Sequence, residues 1–316
     1  MSSRVPSDLT VSDQGFSRVL VTGATGFIGS HLVSSLQENG CEVHVIVRRD
    51  SVTSRIQSLG DGTLHVHVHD GTMQNVLEIV SSSKAEVVFH LASNFVAEHR
   101  PQDIPALVDS NIAFGCWVLE AMQQNGVKCL VNSSTSWQHS KTTRYDPVNL
   151  YAAMKQAFED ILAFYTAAHG FRAISLVLFD TYGPRDPRPK LINALIASAR
   201  EGTALELSLG EQLIDLVYVE DVVRAYMRAA VLLSANKVDG HERYAVSSGE
   251  PISIRALVGA FENILGRTLP VEWGARPYRS REAMVPNYRA PVLPGWQPVV
   301  RLREGLKRTL EASGIL

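Results

Sequence analysis

The chain has 316 residues, 45% hydrophobic and 20% charged, enough for one large globular domain or two interlocked ones. A formal net charge of −2 excludes the bulk positive field that recruits nucleic acid or an anionic membrane. Cys41, Cys116 and Cys129 are too few and too scattered for a disulfide framework or a metal-ligand spacing, which points to a reducing compartment.

In chain order, the start MSSRVPSDLTVSDQG lacks the apolar core of a signal peptide, and residues 1–17 read as a disordered tail. No apolar run approaches the ~20 residues of a membrane span, so a soluble cytoplasmic protein is expected. From Arg18 the pattern alternates. RVLVTG reads as a strand and FIGSHLVSSLQENG as a helix closed by Gly40. CEVHVIV, LHVHVHD, AEVVFHLA, CLVNSS and AISLVLF read as further strands, with helical patterns between them, notably Asp103–Asn125 and Val148–His169. Strands alternating with helices predict right-handed crossovers and an α/β Rossmann fold with a doubly wound parallel sheet.

After Tyr182-Gly183-Pro184 the rhythm changes. Pro184, Pro187 and Pro189 mark a loop, and the elements beyond it shorten. Residues 18–180 therefore read as one domain and 181–316 as a smaller C-terminal α/β domain. EDVVRAYMRAAVLL reads as a helix, and part of 214–235 is expected to rejoin the first domain.

His65, His67 and His69 alternate in HVHVHD, so one strand sets them on one face about 6–7 Å apart. A single zinc needs ligands converging at about 2 Å, which an extended strand cannot arrange; a metal site is rejected.

VLVTGATGFIGSHL carries the strongest signal. Gly23 permits a tight turn, Gly26 lets backbone approach a pyrophosphate, and Gly29 packs the helix on the sheet. The helix N-terminus then offers free N–H groups to the phosphates. The second strand ends HVIVRRD, where an acidic residue would hold the ribose of NAD. Arg48 and Arg49 favour the 2′-phosphate of NADP, although Asp50 could still serve a ribose.

NLYAAMKQAFED sets Tyr151 four residues before Lys155, on one helical face. A phenol beside an ammonium ionises more readily and could act as a general acid–base.

With both motifs placed, HLAS (90–93), Asn111, LFDTYGP (178–184), LVYVEDVV (216–223), ARP (275–277) and PGWQPVVRLREGL (294–306) follow in order. The chain thereby resembles the extended short-chain dehydrogenase/reductases, the nucleotide-sugar epimerase/dehydratase group, from about Arg18 to its end. The resemblance implies Asp70 at the adenine amine and Leu91, Ala92 and Ser93 along the cofactor, with Thr25, Phe27, Ile28 and Ser133 also in contact. It implies Tyr151 as acid–base, and Lys155 on the nicotinamide ribose lowering the tyrosine pKa. A hydroxyl at the end of the fifth strand would polarise the substrate oxygen; one count selects Ser134 and a one-residue shift selects Thr135.

The stretch SSTSWQH, with LFDTYGPRDPRPKL further on, looks closest to the CDP-abequose and CDP-paratose synthases, which reduce a CDP-4-keto-3,6-dideoxyhexose with NADPH. Asp180 stands where the group often has asparagine, and Ile214-Asp215 where it often has arginine before the aspartate. The expected substrate contacts are Asp180 and Lys190, with Arg276 and either Arg279 or Arg281 at the diphosphate. Dehydratases of the group carry an Asp-Glu pair after the active hydroxyl; here Thr135-Ser136 or Ser136-Trp137 stands there, and neither pair can replace it. A 4-ketoreductase is expected first, a C4 epimerase with tightly bound cofactor second, and a non-catalytic NADP-binding sensor last. Phe114, Trp117, Phe158, Ile161 and Phe164 lie beyond a single stripe on the two long helices, and the resemblance implies a homodimer through them.

Overall fold

Short β-branched runs separated by helices build one seven-stranded parallel sheet. Its strands are β1 (Arg18–Thr22), β2 (Glu42–Arg48), β3 (Leu64–His69), β4 (Val87–His90), β5 (Cys129–Thr135), β6 (Arg172–Leu178) and β11 (His241–Val246). The spatial order is β11-β6-β5-β4-β1-β2-β3, and every pairing is parallel. The computed structural model describes residues 15–57, 62–141, 144–286 and 290–316; most of the tail expected over 1–17 lies outside them. The strand order reverses between β1 and β4, and ligands of open α/β sheets sit at such a switch point.

Strands buried on both faces read as continuous apolar runs, and β4 and β5 are buried throughout. On one face, α1 (Phe27–Glu38) and α8 (Val219–Ser234) bury Leu32, Val33, Tyr226 and Met227 against Val19, Val21 and Val131. On the other, α3 (Met73–Ser83), α5 (Phe114–Gln124) and α6 (Leu150–His169) bury Val76, Leu119 and Phe158 against Leu20 and Leu130. Side chains of this size contribute about 1.5–3 kcal/mol each when fully buried. The helix read over EDVVRAYMRAAVLL is α8, and it packs on the large sheet.

Helix ends follow local chemistry. Asn149 caps α6 by accepting the Ala152 N–H at 3.0 Å, and Gly170 closes it at φ +62°. The single helix expected over Asp103–Asn125 is instead composite. A 3₁₀ turn at Pro101–Asp103, α4 (Ile104–Val108) and a π turn at Asp109–Ala113 precede α5. Inside the π turn, Asn111 donates to the carbonyls of Asn94 and Leu107, both at 2.9 Å, which pins the loop after β4.

Beyond β6 the chain enters a smaller layer. It contains β7 (Asp180–Tyr182), α7 (Leu191–Glu201), β8 (Leu205–Leu207), β9 (Leu213–Ile214), β10 (Leu216–Tyr218), β12 (Ile252–Ser253), α9 (Ile254–Leu265), β13 (Val271–Trp273) and α10 (Leu302–Ser313). Its core gathers Leu195, Tyr218, Leu257, Phe261 and Leu306. The chain leaves this layer to add α8 and β11 to the sheet, then returns. Trp296 of the PGWQP stretch donates its indole N–H to the Asp221 carbonyl at 2.9 Å, strapping the C-terminal segment onto α8. No helix among the described residues is long and apolar enough to cross a membrane.

Candidate active site

The glycine loop links β1 to α1. Gly23 has φ +73°, and a Cβ there would stand 2.6 Å from the Ala92 nitrogen, so both conformation and space demand glycine. A Cβ on Gly29 would meet the Gly23 oxygen at 2.1 Å, which is how closely α1 rests on the turn. Gly26 occupies the N-cap of α1 without any side-chain hydrogen bond. The first N–H groups of the helix, at Phe27 and Ile28, therefore face the cleft uncapped, an anion cradle that fits a dinucleotide pyrophosphate.

Around this cradle, Arg48 and Arg49 are exposed at the end of β2, and Arg48 is ion-paired to Asp50 at 3.5 Å. Arg55, on the short helix α2 (Ser54–Gln57), donates to the Thr25 carbonyl at 3.4 Å. Nothing in the sequence singled it out, because its approach depends on the turn between β2 and α2. Asp70 accepts the backbone N–H and hydroxyl of Thr72 at 2.8 and 2.7 Å, which holds its carboxyl below the usual range. Leu91 and Ser93 line the cleft, while the Ala92 N–H is held by the Thr22 hydroxyl at 3.2 Å.

Three successive hydroxyls end β5, and the pleat separates them. Ser133 meets the Tyr226 hydroxyl at 2.6 Å and the His90 carbonyl at 3.1 Å. Tyr226 also lines the cleft, a contact the sequence reading missed because it comes from α8, far along the chain. Ser134 also lines the cleft and donates to Gln138 at 2.6 Å. Gln138 in turn donates to Gln156 at 2.9 Å and to buried Glu159 at 3.1 Å. Thr135 lines the cleft and accepts a long 3.3 Å bond from the Trp137 N–H, and its own proton meets no acceptor among the described residues.

Tyr151 lies across the cleft on α6. Burial pushes its phenol up, while a hydrogen bond with Ser93 and the charge of Arg188 pull it down. Lys155 shares the helical face, with its Nζ 5.9 Å from the Tyr151 ring centre. The lysine, expected to depress the phenol, is itself pushed down to about 8 by burial, against the opposing charge of Glu159. Glu159 is ion-paired to Arg243 at 3.3 Å beneath it.

The cleft continues past Trp137 and Asp180 into a second depression containing Asp215, Arg279 and Arg281. Phe95 packs edge-on to Trp137 and Tyr151, with ring centres 5.5 and 5.1 Å apart. The Lys190 ammonium lies 4.6 Å from the Phe95 ring and 3.6 Å from Asp180, and Arg279 lies 5.9 Å from Trp137. Arg281 is ion-paired to Asp146. Arg276 does not join them. It is exposed beside β8 and paired to Glu206 at 3.4 Å, since the register of β13 on β8 carries it away from both depressions. Asp215 is spent on Ser248, whose N–H it accepts at 2.7 Å.

The loop, the Tyr-Lys helix and the hydroxyls at the end of β5 define an extended short-chain dehydrogenase/reductase. Residues 19–245 match the NAD dependent epimerase/dehydratase family, and the chain belongs to it. It is 26% identical to CDP-abequose synthase of Salmonella typhimurium, covering 93% of this chain and 97% of that one. It is 30% identical to UDP-glucose 4-epimerase of Mycolicibacterium smegmatis, with the same shares covered. The structure of UDP-glucose 4-epimerase from Thermotoga maritima with UDP-glucose superposes with a TM-score of 0.79 at 26% identity, over 93% of this chain and 97% of that one.

Proposed function

We propose that this protein reduces the 4-keto group of a nucleotide-diphosphate deoxysugar, of the CDP-4-keto-3,6-dideoxyhexose kind, with NADPH. The observation that carries this reading is Trp137. It stands two residues after Thr135, where elimination would require a carboxyl group, and presents an aromatic wall against Phe95 instead. A wall beside Tyr151 also limits the turning of a keto-sugar, which an epimerase must allow.

In the proposed mechanism Thr135 and Tyr151 donate hydrogen bonds to the carbonyl oxygen, and Tyr151 delivers the proton as that oxygen becomes a hydroxyl. The bound cofactor would supply the hydride. Lys155 holds its ribose hydroxyls, and Glu159 below keeps the ammonium oriented. Gly26, Phe27 and Ile28 hold the pyrophosphate, Asp70 the adenine amine, and Arg48 and Arg49, aided by Arg55, the 2′-phosphate. Residues 18–180 and part of 214–235 serve the cofactor, and the rest of 181–316 the sugar nucleotide. Lys190, Arg279 and Arg281 neutralise the diphosphate, with Asp180 steering Lys190.

A second reading is C4 epimerisation with retained NAD. The Arg48–Asp50 pair favours it, because it places a carboxylate where a ribose hydroxyl would bind and occupies one of the two arginines. Incubation with 4-keto sugar nucleotides separates the two. A reductase consumes NADPH in step with product, whereas an epimerase interconverts C4 hydroxyls with no added cofactor.

The protein is further proposed to form a homodimer through α5 and α6. Phe164 is 58% exposed there, whereas Phe158, expected on the same surface, belongs to the internal core. Light scattering at micromolar concentration should give twice the chain mass, and Phe164→Glu should halve it.

A further inference from the structure

We propose that Glu42, His44 and His65 form a binding site for a divalent first-row transition ion, with zinc the best match. β3 is the edge strand of the sheet, and its register places His65 beside His44 and His67 beside Ile46. Residues paired in this way point to the same face, on strands about 4.8 Å apart. The histidines of β3 cannot converge among themselves, but β2 supplies two more donors at the same level.

The distances suit a metal. Glu42 Oε1 lies 3.2 Å from His44 Nε2 and 3.3 Å from His65 Nε2, and the three ligand atoms all lie within 4.8 Å of one another. Tetrahedral bonds of about 2.0–2.1 Å require ligand atoms about 3.3 Å apart. The His65 ring lies nearly parallel to that of His44, with centres 4.5 Å apart, and closes the third edge by turning out of this stack, which its half-exposed position allows. His44 Nδ1 meets His67 Nε2 at 2.9 Å, so the ring nitrogen that faces away from the ion already has an orienting partner. His44 is an anchored ligand at 8% side-chain exposure, while Glu42 and His65, at 44% and 46%, leave room for entry and a coordinated water.

Two imidazoles and one carboxylate are donors shared by zinc and its neighbours in the first row, not by calcium or magnesium. Arg18, paired in register with Glu42, adds a positive charge and limits the affinity. The site lies toward the amino-terminal end of β2, opposite the glycine loop, so it does not share residues with the proposed active site. An occupied site would clip the edge strand β3 to β2.

The test uses the full chain, free of any histidine tag. Calorimetric titration with zinc chloride should show one ion per chain at micromolar affinity, and cobalt(II) should give the visible absorption of four-coordinate N/O ligation. Glu42→Gln and His65→Ala should each weaken binding at least tenfold. His67→Ala, which removes only the orienting partner, should weaken it about 10–100-fold. Zinc should raise the melting temperature of wild type and not of Glu42→Gln. Unchanged cofactor binding by each variant verifies that it is folded; Glu42→Gln, an isosteric change at a half-exposed side chain, retains the test if a histidine variant fails to fold. Absence of stoichiometric binding at a hundredfold excess of zinc, or undiminished binding in Glu42→Gln/His65→Ala, would overturn the proposal and leave a hydrogen-bonded imidazole cluster.

Discussion

The Ser134 hydroxyl donates to Gln138 Oε1 at 2.6 Å, whereas the hydroxyl of its neighbour Thr135 donates to no protein group in the described residues. Both hydroxyls line the cleft, but Ser134 is committed through Gln138 to a buried network with Gln156 and Glu159, which favours Thr135 as the proposed ligand donor.

Thr135→Val should therefore lower kcat by about 10²–10³-fold with little loss of stability. Ser134→Ala should retain most of the turnover and instead cost about 0.5–1.5 kcal/mol, because Gln138 Oε1 loses one donor and keeps Arg243 at 3.2 Å. Steady-state kinetics and urea denaturation of both variants separate the roles; the reverse pattern would reassign the hydroxyl.

Tyr151→Phe removes the proposed proton donor while keeping the ring against Phe95. Turnover should fall by about 10²–10⁴-fold with cofactor affinity nearly unchanged. A variant with near-normal turnover would sink the assignment.

Replacing Arg48 and Arg49 together by alanine tests the cofactor. If a guanidinium grips the 2′-phosphate, its loss should cost NADPH ~1.5–3 kcal/mol, about ten- to more than a hundredfold, and leave NADH little changed. Added salt should weaken NADPH in the same selective way. Calorimetric titration of both cofactors reads this directly, and equal affinities in wild type would move the epimerase reading to first place.

His90 is buried under the cofactor loop, its Nδ1 within 2.9 Å of the Thr22 hydroxyl, and burial pushes its pKa down to about 3. As the pH falls below about 6.5 the unfolded chain binds a proton that the folded chain refuses. The contribution is complete above that pH and is lost toward pH 3, at about 1.4 kcal/mol per unit. His31, pushed down to about 4 by burial, acts in the upper part of the same window. His90→Gln should flatten the stability slope between pH 6 and 4.5 by about one proton, as measured by urea midpoints. An unchanged slope would show that other groups control acid unfolding.

Much of the fold was legible because strands buried on both faces write themselves as apolar runs. β1, β2, β4, β5 and β6 fall where those runs lie, the edge strand β3 is marked instead by alternating Val and His, and the glycines mark the turn that only they can make. The chemistry of Tyr151 and Lys155 was legible because i and i+4 share a helical face. What sequence could not supply is what depends on packing between distant segments. The π turn around Asn111 leaves helical periodicity nearly intact, so it has no signature in composition. Ser134 and Thr135 could not be separated, since the pleat is fixed only once β5 is paired. Tyr226 and Arg55 reach the cleft from segments with no motif of their own. Arg276 was placed by its sequence context and removed by the register of β13 on β8.

The return of the chain to the sheet has a mechanical consequence. The smaller layer is not suspended from the larger by one string; it is jointed near Asp180, near Val219 and again near Val246, at separate points along the boundary. The same arrangement forbids simple dissection. A fragment ending at residue 180 would lose α8 from its core and leave β6 an open edge, and such a fragment should aggregate rather than bind cofactor.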